Sequence, residues 1–228
     1  MNYIIPVHNE AQSLPVLLRD IFSYDGNANI CILNSASTDD TISIVQKYPI
    51  QIVDTPQGYT QALAVGYCYA RYRGWDSVIQ LDGDGQHHPM YAFHLHKQLS
   101  CADWVVASRH KTGSIGSRGI RYASWIGTRY LLGSQLHDPS SGYWALNAKA
   151  IDRFSRIFPV SFTEIPLRVA ESPFLRIAEV SVPMEERKHG LSMNAGWKGV
   201  IHGLKMLSSG WKEKKRKKDH LFFANAIR

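Results

Sequence analysis

Cysteine is scarce in this chain of 228 residues: Cys31, Cys68 and Cys101 are the whole set. An odd, widely spaced trio gives no disulfide framework, and no spacing among them suits a zinc site. Each lies in an apolar segment, so reduced, buried thiols are expected. Long apolar runs are missing too. No stretch reaches about 18 apolar residues, so no transmembrane helix is expected. The opening "MNYIIPVHNE" has no basic region followed by a long apolar run, so no signal peptide is expected either. A reducing cytoplasm is the simplest setting. The chain has no internal repeat and no glycine-rich phosphate loop ending in lysine, which argues against a nucleotidyltransferase. It carries no recognised RNA- or DNA-binding motif.

What is present suits a globular domain. The chain is 44% hydrophobic, ample for a core. Its formal charge is +7, but "KEKKRKK" (212–218) holds six bases against one acid, so most of the excess sits in that run. Short apolar runs alternate with helical patterns. Strands are expected at "YIIPV" (3–7), "NICIL" (29–33), "IQIVD" (50–54), "SVIQL" (77–81) and "WVVAS" (104–108). A strand is also expected in "SGYWALN", followed by a helix from about Lys149, and another in "IAEVSVPM", stopped by Pro183. Leu14, Leu17, Leu18 and Ile21 form one helical stripe, and Leu63, Gly66, Tyr67 and Ala70 mark another. Such alternation implies an α/β fold with a mainly parallel sheet, in which ligands gather at the carboxyl ends of the strands. Residues 197–211 put Trp197, Val200, Ile201, Leu204, Leu207 and Trp211 on one helical face, ahead of the basic run. The organisation expected is a catalytic domain over 1–196 and an amphipathic helix with a basic tail over 197–228.

The segment most informative about chemistry is "VIQLDGDGQHHP" (78–89). An apolar strand ends in Asp82-Gly83-Asp84-Gly85-Gln86. Glycines allow a tight turn and close approach to a ligand. Two carboxylates and an amide are hard oxygen donors that suit Mg²⁺ or Mn²⁺, ions that usually share their coordination with substrate phosphates. A polar turn is the plain alternative, and His87 and His88, adjacent on a loop, point different ways. Two further strand–turn–helix junctions, "IIPVHNEAQSL" and "LNSASTDDT", could form ligand loops; Pro6 is read as ending the first strand, and Asn9 with Gln12 as a capping box. Arg109 follows a strand, Arg118 and Arg121 open a helical segment, and Arg187 precedes Gly190. Cations there could take up the charge of a diphosphate leaving group.

In this order, "IIPVHNE", "STDDT", "GYTQALAVGY", "LDGDGQHHP", "ASRH", "DPSSGYWALN", "FTEIPLRV" and "ERKHGLSM" resemble the family 2 glycosyltransferases. The similarity is greatest to the dolichyl-phosphate mannosyltransferase and polyprenyl-phosphate sugar synthase branch. The resemblance implies a GT-A fold, a nucleotide-diphospho-sugar donor, a divalent metal and inversion at the anomeric carbon. It places Pro6, His8, Glu10 and Asn34 at the donor nucleotide, with Asp82, Asp84 and Gln86 on the metal. Arg109, Arg121 and Arg187 fall where family arginines neutralise phosphate. Asp138, Ser141 and Gly142 match the acceptor-side motif, and Glu164 a carboxylate near the acceptor. The chain departs from the pattern at Asn34-Ser35-Ala36, where acids and a glycine are usual. It departs again at Gln57, Trp144 and Met193, where bases are usual.

The acceptor implied is a polyprenyl phosphate. A hydroxyl acceptor in polysaccharide synthesis is the alternative, and it would need a general base, Asp138 or Glu164. The tail is expected to lie on an anionic membrane surface at the cytoplasmic face, with each base near the surface contributing about 1 kcal/mol. A reading of another class makes the chain a nucleotide- or nucleic-acid-binding module without transferase activity; basic residues confined to one tail disfavour it.

Overall fold

The computed structural model describes residues 1–109, 122, 125, 126, 129, 136–138, 141–157 and 175–183. Seven strands form one sheet: β1 (Asn2–Val7), β2 (Asn29–Asn34), β3 (Gln51–Asp54), β4 (Ser77–Gln80), β5 (Trp104–Ser108), β6 (Trp144–Asn147) and β7 (Ile177–Ser181). Their order is β3-β2-β1-β4-β6-β5-β7. Only β6 runs against its neighbours, pairing antiparallel with both β4 and β5. The other pairs are parallel. The described helices are α1 (Leu14–Tyr24), α2 (Thr41–Val45), α3 (Tyr59–Tyr72), α4 (Ala92–Gln98, preceded by a 3₁₀ turn at Pro89–Tyr91) and α5 (Ala148–Ile157).

Burial on both faces explains the near-continuous apolar strands. Successive residues of β1 and β2 point to opposite faces. Ile4 and Leu33 pack with Leu63, Tyr67 and Ala70 of α3 and Phe154 of α5. Ile5 and Ile32 pack with Leu14, Leu18 and Ile21 of α1 and Leu95 of α4. The two expected stripes are thus the buried faces of α1 and α3. Where β5, β6 and α5 meet, Trp104, Trp144 and Phe154 form an aromatic cluster with ring centroids 5.2 to 5.8 Å apart.

Several expectations need correction. Cys31 is buried, and the low-dielectric core pushes its thiol up to about 12, but Cys68 and Cys101 are exposed free thiols. Pro6 lies within β1, two residues beyond the last β1–β4 pair at Ile4 and Gln80. Asn9 does not cap α1, which starts at Leu14. It sits at φ +56°, and its Oδ1 accepts from the Thr38 N–H at 2.8 Å. Trp144 is fully buried in the aromatic cluster, so its position is a core position, not one where a base would meet phosphate. The helix α4, with its 3₁₀ entry, was not foreseen. Arg118, Arg121, Glu164, Arg187 and Met193, and the whole of 197–228, lie outside the described residues.

Candidate active site

The carboxyl ends of β1, β2 and β4 converge on one cleft of about 380 Å³. Pro6, His8 and Glu10 line it from the loop after β1, Ser35 from the loop after β2, Gln57, Gly58 and Tyr59 from the start of α3, and Asp82, Gly83 and Asp84 from the loop after β4. The first two loops are tied together. Beside the Asn9–Thr38 bond, the Glu10 N–H donates to Thr41 Oγ1 (2.9 Å), and the Ala11 N–H donates to Asp39 Oδ2 (3.2 Å). His8 Nδ1–H donates to the Ser35 carbonyl at 2.7 Å, which leaves Nε2 as its other polar atom. The Gly58 N–H donates to Ser35 Oγ at 2.8 Å. Gly58 has φ +124°, a backbone region that favours glycine, and it starts α3 beside the cleft.

Asp82 sits at the cleft floor. Burial and the neighbouring Asp84 charge push its carboxyl up to about 7, against the lowering effects of Tyr59 and Arg109. Asp84 Oδ1 accepts from the Gln86 N–H at 3.0 Å; Gln86 is not among the residues that line the cleft. Asn34 does not line it either. The Asn34 amide instead donates to Asp54 Oδ1 (2.7 Å) while its carbonyl accepts from the Ser37 N–H (3.1 Å). His87 Nε2 lies 3.9 Å from Asp82 Oδ2. Burial and Arg109 push the imidazole down to about 3, so it is neutral and this approach is not an ion pair. His88 points elsewhere, its ring against Tyr24.

Arg109 and Asp138 face each other. The guanidinium donates to the Asp138 carboxylate at 2.6 and 2.8 Å, and the Arg109 N–H adds a third bond at 3.0 Å. Asp138 is fully buried, and its charge, with that of Asp82, holds Arg109 above its ordinary value. Glu179 of β7 braces the segment, accepting from the N–H groups of His137 and Asp138 at 2.8 to 3.0 Å. The Asp138 carbonyl accepts from the Ser141 N–H (3.2 Å). Gly142 then passes directly over Asp82. A Cβ on Gly142 would lie 2.8 Å from both Cγ and Oδ1 of Asp82, and nearer still to Oδ2. The structure thus brings Arg109, Asp138, Ser141 and Gly142 up to the Asp82 carboxylate.

The sequence reading gave no site role to Gln80 or Tyr59 and took Tyr67 only as part of a helical stripe. Gln80 is fully buried within β4, and Tyr59 OH donates to Asp82 Oδ1 at 2.7 Å. The sequence did hold a signal: a lone glutamine between Ile79 and Leu81, where a buried polar group requires partners.

The donor set fits a hard divalent cation. The described lining includes three carboxylates, Glu10, Asp82 and Asp84, and no lysine or arginine. A diphosphate would be repelled from that lining without a counter-ion. Among the described residues no group of three or more His, Cys, Asp or Glu side chains is arranged to hold a metal alone. An ion held by one or two carboxylates and completed by substrate phosphate oxygens is the usual Mg²⁺ arrangement.

A sequence-family model described as "Glycosyl transferase family 2" matches residues 3–154. The chain belongs to this family. This glycosyltransferase is 28% identical over 219 residues to the undecaprenyl-phosphate mannosyltransferase of Micrococcus luteus, covering 87% of this chain and 88% of that one. It is 24% identical over 220 residues to the polyprenol monophosphomannose synthase of Mycolicibacterium smegmatis, covering 85% and 80%. The glucosyl-3-phosphoglycerate synthase of Mycobacterium tuberculosis, solved with Mn²⁺, UDP and glucosyl-3-phosphoglycerate, superposes with a TM-score of 0.65 at 16% identity. That match covers 93% of this glycosyltransferase and 78% of the other chain, and it establishes a shared GT-A-like fold.

Proposed function

We propose that the enzyme transfers a sugar from a nucleotide-diphospho-sugar to a polyprenyl phosphate, with inversion and with Mg²⁺ or Mn²⁺ held by Asp82 and Asp84. The observation that carries this reading is the acidic cleft at the strand ends, with Asp82 pressed against the acceptor-side Gly142. The two curated relatives, named as mannosyltransferases of lipid phosphates, support the acceptor class.

In the reaction proposed, an acceptor oxygen bonds to the anomeric carbon from the face opposite the diphosphate. The carbon–oxygen bond to the donor breaks, and its electron pair leaves with the nucleoside diphosphate. A bound cation would supply charge neutralisation to that leaving group. Asp82 and Asp84 would hold it. Arg109, fixed by Asp138, adds positive potential that reaches Asp82. Pro6, His8 and Glu10 shape the nucleotide end of the cleft. Both oxygens of Asp138 are bonded to Arg109, so Asp138 acts as a positioning residue and not as a base. A phosphate monoester acceptor, with a second pKa of about 6, needs none. Glu164, Arg121 and Arg187 keep the roles that the resemblance implies.

Among the described residues no helix is long and apolar enough to cross a membrane. The amphipathic 197–211 and the basic run after it would reach a lipid acceptor by lying on an anionic, cytoplasmic-facing surface. The test is transfer of radiolabelled sugar from UDP- and GDP-sugars to a short polyprenyl phosphate, with the matching polyprenol as the hydroxyl-acceptor arm. Transfer to the phosphate alone, lost with EDTA and in D82A and D84A, is expected. Normal turnover in both variants, or transfer to the polyprenol alone, refutes the proposal.

A further inference from the structure

Behind the cleft floor lies a buried hydrogen-bond relay whose direction is fixed by chemistry. Gln80 carries one acceptor and two donors at its end. The Gly142 carbonyl, 3.0 Å from Gln80 Nε2, can only accept, which settles which end of the amide is NH₂. Gln80 Oε1 therefore points the other way, and the Tyr67 hydroxyl donates to it. The second Nε2 hydrogen goes to the Tyr59 oxygen at 3.1 Å. With that oxygen accepting, the Tyr59 proton is directed to Asp82 Oδ1 at 2.7 Å.

The relay spans three pieces of the fold. Tyr59 is the first residue of α3, Gln80 the last of β4, and Gly142 precedes β6. Gln80 thus bonds at once to the acceptor-side backbone and to the phenol that grips Asp82. Buried polar groups are normally satisfied somewhere, so satisfaction alone would be unremarkable. What distinguishes this relay is where it ends: on one oxygen of a carboxylate whose other oxygen has no hydrogen bond among the described residues, with His87 Nε2 standing 3.9 Å from it.

We propose that Tyr59, oriented by Gln80, is a positioning residue that fixes the Asp82 carboxylate for cation binding and couples its orientation to the acceptor-side segment at Gly142. The inference rests on the reading of Asp82 as a cation ligand. Groups hydrogen-bonded to metal ligands set ligand orientation, and their loss typically weakens metal affinity by about 10–100-fold.

The test is Mn²⁺ titration of the full chain in saturating UDP or GDP, followed by the paramagnetic resonance of free Mn²⁺, on wild type, D82A, Tyr59→Phe and Tyr67→Phe. Nucleotide binding in EDTA is measured alongside. Y59F is expected to weaken Mn²⁺ binding about 10–100-fold, a larger loss than any change in metal-free nucleotide affinity. Y67F, one bond further from Asp82, should weaken Mn²⁺ binding in the same direction and less. Wild-type Mn²⁺ affinity in a folded Y59F, with D82A impaired, overturns the relay and leaves the metal site standing. D82A binding Mn²⁺ as well as wild type overturns the metal site and this inference together. If Y59F does not fold, wild-type Mn²⁺ affinity in Y67F overturns the relay.

Discussion

Adding one methyl group at Gly142 tests the site more severely than deleting a carboxylate. Gly142 is buried, and its φ is not positive, so alanine meets no backbone penalty there. Restricting the unfolded chain should even stabilise the protein by about 0.4–1 kcal/mol. The obstacle is Asp82, with Cγ and Oδ1 each 2.8 Å from the new Cβ and Oδ2 nearer. The end of a side chain can often swing aside, but this one has little freedom. Tyr59 holds Oδ1, and the buried His87 stands 3.9 Å from Oδ2. Overpacking of this kind costs about 1–3 kcal/mol, and releasing the phenol from a charged acceptor forfeits about 1.5–3 kcal/mol if the carboxylate yields instead. These are alternative outcomes, so we expect G142A to lose about 1–3 kcal/mol of stability. Asp82 would move by on the order of 1 Å, and turnover should fall about 100-fold. Urea unfolding and transfer kinetics measure both. The decisive comparison uses the D82A background, where the space is vacated and G142A should cost almost nothing, giving a coupling of about 1–3 kcal/mol. Equal loss of stability in both backgrounds, or no loss in either, refutes the steric argument.

Other outcomes follow from the same structure. Asp138→Ala leaves the largely buried Arg109 guanidinium unpaired and should cost about 3–5 kcal/mol by urea unfolding; an unchanged midpoint would mean that the pair is not formed. If Asp138 only positions Arg109, Asp138→Asn lowers turnover without removing the acidic limb of the pH–rate profile, whereas loss of that limb would restore it as a base. Asp103 joins β5 to β6 and β7, accepting from the Arg176 N–H (2.8 Å) and the Asn147 amide (2.9 Å), and these bonds outweigh burial to hold its carboxyl below its ordinary value. Its contribution is therefore fully present above the unfolded pKa of about 4 and lost as pH falls through the depressed native value. Asp103→Asn should lower stability at pH 7 and flatten its fall in acid, and a variant with the wild-type acid profile would contradict this. Removing residues 212–228 should abolish flotation with anionic liposomes and spare transfer to a short, soluble acceptor; equal flotation counts against membrane contact.

Much of the frame was legible because the central strands β1, β2, β4 and β5 are apolar on both faces and α1 and α3 on one. The five parallel-type runs and the stripes of α1 and α3 follow from periodicity alone. The aspartates at the tip of β4 stood out because charge ends an apolar run abruptly. The short helix after Pro89 escaped notice because its sequence, "AFHLHKQ", interleaves histidine with a single deeply buried leucine. Exposure of Cys68 was misjudged because neighbouring apolar residues do not reveal which face of a helix a thiol occupies, and Cys101 lies in the turn between α4 and β5. The bonds of Asn34 to Asp54, Asp138 to Arg109 and Gln80 to Gly142 were out of reach for a different reason: they join residues 20, 29 and 62 positions apart. Spacing along the chain says nothing of such contacts until the strand order is known.

That order contains one reversal. Because β6 runs backward, Trp144 at its start lies opposite Gln80 at the end of β4. The segment entering β6 is thereby delivered to the rim where Asp82 sits. A forward-running strand of the same four residues would deliver that segment to the opposite rim, about 10–13 Å away at the usual rise per residue. The loops after β1, β2 and β4 leave that rim and the segment before β6 returns to it, so on the proposed reading donor and acceptor would meet without any long connection having to reach across the sheet.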